Sequence, residues 1–402
     1  MAASGAKTPE KRFDVDYLVE MLPSAGVAAV SITVTPDTGR LIELDFAMDP
    51  ERYRDISGEG SVRTEDGRTV WRPPRKGGTL RYRYTIDKQR RGDGYDARIT
   101  GNWVIVRGDH LVPAARVRMT KDARSRARLR FALPAGWTNV DTPYLSDGDA
   151  AAFIVENPER SFARPVGWMI AGDVGTRREW IEGMEISVAA PKGDAMRRND
   201  ILAFANMVAP EMKRAFGQLP PKLLIVGAGD PMWRGGLSGP QSLYMHTARP
   251  LISENGTSTL VHELVHVVTR IGGAGNDRWI GEGIAEYYSI ELMRRAGLLS
   301  ERRAALALDW MRHHGRNVKT LLAPRSSGPR TARAVTVFLE LDAELRALTG
   351  GQHDLDDLVR TLMPLRKVNR EQLAEAFERL AGKPSAVLQA ALPELQRAPR
   401  SG

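Results

Sequence analysis

Two histidines four residues apart, with a glutamate directly after the first, stand at His262, Glu263 and His266. On a helix, positions i and i+4 share a face, so the two imidazoles can converge on one metal ion. Glu263, one step round the helix, can then reach a water molecule beside the metal without ligating it. A third donor follows after fifteen intervening residues: Glu282, in the run Trp279-Ile280-Gly281-Glu282-Gly283-Ile284-Ala285-Glu286-Tyr287-Tyr288. Three protein ligands with a fourth position left to water is the pattern of a catalytic zinc site. The spacing therefore predicts one Zn2+ held by His262, His266 and Glu282, with Glu263 as general base. Glu286, one turn beyond Glu282, is placed to accept the second ring N–H of a ligand histidine and fix its tautomer. The bland alternative is a pair of hydrogen-bonded core histidines with Glu263 in a salt bridge. It leaves more ring nitrogens to satisfy in an apolar setting.

The elements that must carry these residues are legible. Thr257-Ser258-Thr259 offers an N-cap, Leu260, Val261, Leu264, Val265, Val267 and Val268 an apolar helix, and Arg270 with Gly272-Gly273 a basic last turn and a stop. A second helix is expected from Trp279 to about Ala296, apolar around most of its circumference and so buried.

The chain has 402 residues, enough for two or three domains. Apolar residues make up 42% and charged residues 27%, ordinary for a globular protein. The balance of 58 basic against 49 acidic residues invites a nucleic-acid reading, but the basic residues do not cluster as that reading needs. Arg124, Arg126, Arg128 and Arg130 alternate with Ser125, Ala127 and Leu129, the pattern of a strand with one solvated face. No stretch interleaves aromatics with a basic run, so no nucleic-acid partner is expected. Without cysteine there is no disulfide, thiolate metal site or cysteine nucleophile. No run of about eighteen apolar residues predicts a transmembrane helix, and the polar N-terminus lacks the apolar core of a signal peptide. A periplasmic or secreted location is expected if a leader was trimmed, and a cytoplasmic one otherwise.

Along the chain, residues 1–12 read as a disordered tail. Residues 13–190 are β-rich, with short runs such as Val27–Thr35, Leu41–Phe46, Leu80–Ile86 and Trp103–Arg107 between turn signals, as in a β-sandwich. Trp71, Trp103, Trp137 and Trp168 are expected in its core and rim. Asp194 to about Phe216 reads as a helix and Lys222–Gly227 as a buried strand. Gly227–Gly239 lacks the lysine of a phosphate-binding loop. It reads instead as a loop and edge strand where a substrate backbone could add by β-pairing, through Gly235, Gly236, Leu237 and Ser238. His246 reads as a structural or cleft-wall residue. His313-His314 reads as surface, Pro324–Pro329 as a loop able to close over the site, and residues 301–402 as a helical C-terminal region.

The motif His262-Glu263-x-x-His266, then Glu282-Gly283 and Tyr287-Tyr288, resembles the gluzincin metallopeptidases. It is most similar to the glycyl aminopeptidase family. Gly108-Asp109-His110-Leu111-Val112-Pro113, Phe131–Trp137, Leu339–Arg346 and Leu355–Arg360 resemble that family's flanking regions. The resemblance implies an α+β multidomain fold. A β-sandwich-like N-terminal domain would be followed by a thermolysin-like, mainly helical zinc peptidase domain in residues 191–300 and the helical C-terminal region, with no PDZ domain. It implies a peptide or protein substrate. Two features of the wider group have no match here. Its edge strand ends in an amine-binding glutamate, where this chain has Ser238. Its transition-state tyrosine would fall in Gly328–Arg333, which has none. Arg330 and Tyr288, with Arg333, Tyr287 and His246 behind them, are therefore the candidates for holding an oxyanion. The expected function is zinc-dependent peptide hydrolysis, with aminopeptidase-like and endopeptidase action both left open by the sequence. The alternative is a catalytically silent gluzincin-like binding module that keeps the zinc as a structural staple.

Overall fold

A computed structural model of the chain describes residues 10–392 apart from 91, 93 and 150. Most of the expected N-terminal tail lies outside the described residues; Lys11 and Arg12, placed in it by sequence, open the first strand. The chain divides into two compact units that interleave in sequence. The first comprises Met1–Arg177, Ser187–Met196 and Leu224–Arg234. The second comprises Arg178–Ile186, Arg197–Leu223 and Gly235–Gly402. The fold is α+β, with several sheets and a long helical region.

In the first unit, period-two patterning decides which side of each strand is buried. Lys11–Leu22 buries Phe13, Val15, Tyr17, Val19 and Met21, every second residue. It pairs in parallel with Ala123–Ala132 and antiparallel with Val27–Pro36, inside a six-stranded sheet. The arginine alternation of Ala123–Ala132 behaves as its sequence suggested. Arg124, Arg126, Arg128 and Arg130 face solvent, and Arg126 forks onto Asp14 at 2.6 and 2.9 Å. Where a sandwich needs two sheets, the described residues of this unit form three, of six, five and four strands, around one apolar core running from Phe13 to Ala171. Register shifts at Arg118/Met119 and Arg54/Ser57 mark bulges, which bend and twist the strands that carry them so that they can curl around the core. Trp71 and Trp168 are fully buried, Trp137 nearly so, and Trp103 half-buried. One element passed unnoticed in the sequence. Gly108–Leu111 forms a short helix, α1, held by tyrosine hydroxyls, with Tyr53 donating to the carbonyl of His110 at 2.6 Å and Tyr82 to that of Leu111 at 2.7 Å.

The second unit carries α2 (Arg198–Phe216), α3 (Thr259–Thr269), α4 (Trp279–Arg295), α5 (Glu301–Gly315), α6 (Pro329–Thr349), α7 (Leu355–Leu362), α8 (Arg370–Ala381) and α9 (Ala386–Ala391). α3 starts where the cap predicts: the Ser258 side chain accepts from the backbone N–H of Val261 at 3.3 Å. Its end differs from the expectation. The turn is closed by Arg270, in the left-handed region at φ 55°, and not by the glycines. Gly272-Gly273 instead forms a short parallel pairing with Lys367-Val368. Glycine is needed there because a Cβ on Gly273 would lie 1.9 Å from the carbonyl oxygen of Asp277. α4 is buried around most of its surface and packs against α3 and α6. The glycines flanking Glu282 permit this. A Cβ on Gly281 would sit 2.9 Å from the Ile271 carbonyl, and one on Gly283 2.6 Å from the Ala334 Cβ. The backbones on both sides of the third candidate ligand are thus packed at close approach, which fixes the helix's rotation and with it the direction of Glu282. Among the described residues, no helix is long and apolar enough to cross a membrane.

Candidate metal centre

α3 and α4 bring His262, His266 and Glu282 together. Their ligand atoms lie within 4.8 Å of one another, the one group of three or more such donors among the described residues. The Nε2 atoms of the two histidines are 3.2 Å apart. Glu282 approaches His262 Nε2 with Oε2 at 3.5 Å and His266 Nε2 with Oε1 at 3.7 Å. A tetrahedral ion with bonds of ~2.0–2.2 Å holds its ligand atoms ~3.3–3.6 Å apart, so the triangle has the size of one face of such a coordination sphere.

The electrostatics agree with that size. His262 Nδ1 lies 2.6 Å from Glu286 Oε2; a carboxylate only accepts, so Nδ1 carries the proton and a neutral His262 presents a lone pair at Nε2. Two lone pairs cannot face each other at 3.2 Å without a proton or a cation between them. Burial opposes charge on His262, yet contacts with Glu282 and Glu286 overcome it and hold its pKa well above the ordinary imidazole value. Burial likewise works against the Glu282 carboxylate, and the hydrogen bonds of His262 and His266 overcome it, holding its pKa well below the usual carboxylate range. Two anions and two imidazoles at this density are a site that stabilises positive charge. The Glu282 side chain is 38% exposed against 16% for each histidine, so the cluster opens to solvent on the carboxylate side.

Glu286 acts through His262, and its removal should show as lost metal affinity. Glu286→Gln keeps the shape but can present its amide N–H₂ to Nδ1, destabilising the required tautomer. The expected result is a ~10–100-fold weaker zinc affinity in a competitive chelator titration. Unchanged affinity would remove Glu286 from the site.

Glu263 is buried, and its Oε2 accepts the backbone N–H of Ser238 at 2.7 Å. Ser238 belongs to the strand Gly236–Gly239, at the edge of its sheet, paired antiparallel to Ser242–His246 around the turn Pro240-Gln241. Gly235 accepts from His246 N at 2.9 Å, so alternation aims the main-chain groups of Gly236 and Ser238 away from the partner strand. Gly236 must be glycine for the strand to lie this close to α3. A Cβ there would meet Thr259 Cγ2 at 2.6 Å and Glu263 Cγ at 3.1 Å. Sequence reading noted that Ser238 stands where an amine-binding carboxylate is absent and assigned its strand to substrate pairing, and missed that its backbone N–H is bound to Glu263. No side-chain pattern signals a main-chain contact of this kind.

Two candidates are not brought to the cluster. The Tyr288 hydroxyl is fully buried and donates to Asp356 Oδ1 at 2.6 Å. Asp356 is also gripped by Arg295 at 2.6 and 3.1 Å. Tyr288 lies six residues after Glu282, about 240° round the helix, which turns it toward α7 and α2, where its ring meets Phe216 edge-on at 5.0 Å. It anchors α4 and is not placed to meet an oxyanion. Arg330, in the first turn of α6, donates to the carbonyls of Thr320 at 3.4 Å and Arg325 at 3.3 Å, so its guanidinium organises the preceding loop. Of the lesser candidates, Tyr287 is buried, Arg333 reaches Glu340 at 4.0 Å, and His246 Nδ1 accepts from Ala248 N at 3.1 Å within its own turn. Asp356 was missed by sequence, although the capping box at Asp354 and Asp357 marks the start of its helix.

Solved structures share this architecture. An aminopeptidase N family protein from Idiomarina loihiensis matches at a TM-score of 0.61 with 14% identity, over 96% of this chain and 73% of its own. An M1 zinc metallopeptidase from Deinococcus radiodurans matches at 0.59 with 15% identity, over 95% of this chain and 93% of its own. A point mutant of that enzyme matches at 0.60, over 95% and 92%. No protein-family model and no curated protein matches the chain. At such identities the likeness is one of fold. The narrower likeness to the glycyl aminopeptidase family rests on sequence motifs alone.

Proposed function

We propose that the chain is a zinc-dependent peptidase. The observation that carries this reading is the triangle of His262, His266 and Glu282 donor atoms, sized for one tetrahedral ion, with the Glu263 carboxylate on the adjacent helix position. The zinc named for the Deinococcus relative supports the choice of ion. When bound, Zn2+ supplies Lewis acidity, lowering the pKa of a water molecule toward ~7 and polarising a carbonyl. The residues of this chain do the rest. His262 and His266 would hold the ion through Nε2, with Nδ1 of His262 directed at Glu286. Glu263 takes the proton of the attacking water on a carboxylate oxygen and returns it to the departing amine. The outward main-chain groups of Gly236 and the carbonyl of Ser238 can pair with an extended substrate and set its register beside Glu263.

Ser238 leaves the edge strand without a carboxylate to grip a free amine, and its own N–H is already committed to Glu263. The reading therefore favours substrates held by backbone pairing over substrates held by their N-terminus. The second reading, a catalytically silent zinc protein, draws on one observation: neither Tyr288 nor Arg330 stands at the cluster. A screen of peptides with free and with blocked N-termini, run with added zinc and with chelator, decides between them. Chelator-sensitive cleavage of blocked peptides is expected. Cleavage of free N-termini alone would restore the aminopeptidase reading. No cleavage in either set would support the silent one.

A further inference from the structure

The solvent face of α5 takes no part in the chemistry above. Helical spacing puts Arg302, Leu306, Asp309, His313 and Arg316 on one stripe with Trp310 beside it. Leu306 is 58% exposed and Trp310 43% exposed. The His314 ring stacks on Trp310 at 4.6 Å, 19° from parallel. Single exposed apolar residues are ordinary, but two large ones a turn apart on a polar helix form a patch. The other face is already packed. Ala304, Ala307, Met311 and Gly315 are buried, and Gly315 lies so close to the Arg333 backbone that a Cβ would meet it at 2.5 Å.

Charge singles out the same stretch. Residues 301–333 hold eight Lys and Arg against two acidic residues, six of the chain's nine net positive charges. Both acidic groups are paired, Glu301 with Arg294 at 2.7 Å and Asp309 with Arg312 at 3.3 Å. Arg302, Arg312, Arg316 and Lys319 are exposed on or just beyond the helix. The outer surface of a helix packed on its inner side is convex, without walls to enclose a peptide. One ring face of Trp310 is covered by His314, which leaves a poor platform for stacked bases. A leucine and a tryptophan flanked by Asp309, His313 and His314, on a helix whose exposed residues also include Arg302, Arg312 and Arg316, suit a broad, soft, anionic surface. The apolar pair enters the headgroup boundary and the guanidinium groups meet phosphates.

We propose that α5 docks the protein, through Leu306 and Trp310, onto an anionic phospholipid surface. The chain then lies on a membrane and does not span one.

The test is cosedimentation of the full chain with phosphatidylcholine vesicles, with and without phosphatidylglycerol, at low and high salt. Binding is expected only to the anionic vesicles, weakening as salt rises. Leu306→Ser with Trp310→Ser should reduce the bound fraction roughly tenfold, with circular dichroism unchanged because both side chains are exposed. Brominated lipid should quench the wild type more than Trp310→Phe. Absence of binding to anionic vesicles overturns the proposal. So does a double variant that binds as well as wild type, which would assign binding to diffuse charge elsewhere. An acidic polypeptide or DNA that binds where vesicles do not would give the face to a macromolecular partner and equally overturn it.

Discussion

Glu263→Gln should leave the zinc content at one per chain and lower kcat/KM on peptides by roughly 10²–10⁴-fold. The substitution isolates proton transfer because it preserves the surroundings. A glutamine carbonyl oxygen can still accept the Ser238 N–H now bound at 2.7 Å, and the amide fills the same volume against Gly236. What is lost is a group that can take a proton from water and hand it to the leaving nitrogen. The measurement pairs steady-state kinetics with metal analysis on the same preparation. A variant within about threefold of the wild-type rate would remove Glu263 as the general base, whatever its zinc content.

His262→Ala should abolish stoichiometric zinc after dialysis, and with it the metal's contribution to stability. The histidine contributes one of three donor atoms and links the second carboxylate, Glu286, to the cluster. Without it Glu282 and Glu286 are left near each other with one imidazole to balance them. A ligand at 100 times its Kd stabilises a fold by about 2.7 kcal/mol. For domains of this size that is a rise of several degrees in Tm on adding zinc. The wild type should show that rise and the variant should not. Full zinc occupancy in the variant would strike His262 from the ligand set.

Both expectations depend on features of very different legibility. The candidate metal donors could be read because their spacing is local. An i, i+4 pair on an apolar helix with a serine cap carries its geometry with it, and Glu282 sits on a helix whose apolar circumference announces burial. The alternating arginines of Ala123–Ala132 were readable for the same reason, since a strand's period is written into consecutive residues. The candidates for oxyanion contact failed differently. Tyr288 was chosen for its chemistry and nearness in sequence, but helix rotation carries its hydroxyl to Asp356, sixty-eight residues further on. Arg330 sits near the expected place along the chain, yet two loop carbonyls claim its guanidinium. The end of α3 shows the same limit. Gly272-Gly273 looked like a helix stop and proved to be a point of close backbone approach, because the contacting Asp277 carbonyl belongs to a turn that sequence periodicity does not register.

Residue type and local spacing alone thus picked out the side chains that form the candidate cation cluster and the helices that hold them, because periodicities of two and 3.6 need no knowledge of the rest of the fold. Tertiary packing decided the distances among those donors, the use of the Ser238 main chain to aim Glu263, and the removal of Tyr288 and Arg330 from the centre. Each of these is set by contacts between segments far apart in sequence. Their mutual rotation depends on close backbone approaches at Gly236, Gly281 and Gly283, which no single stretch of chain encodes.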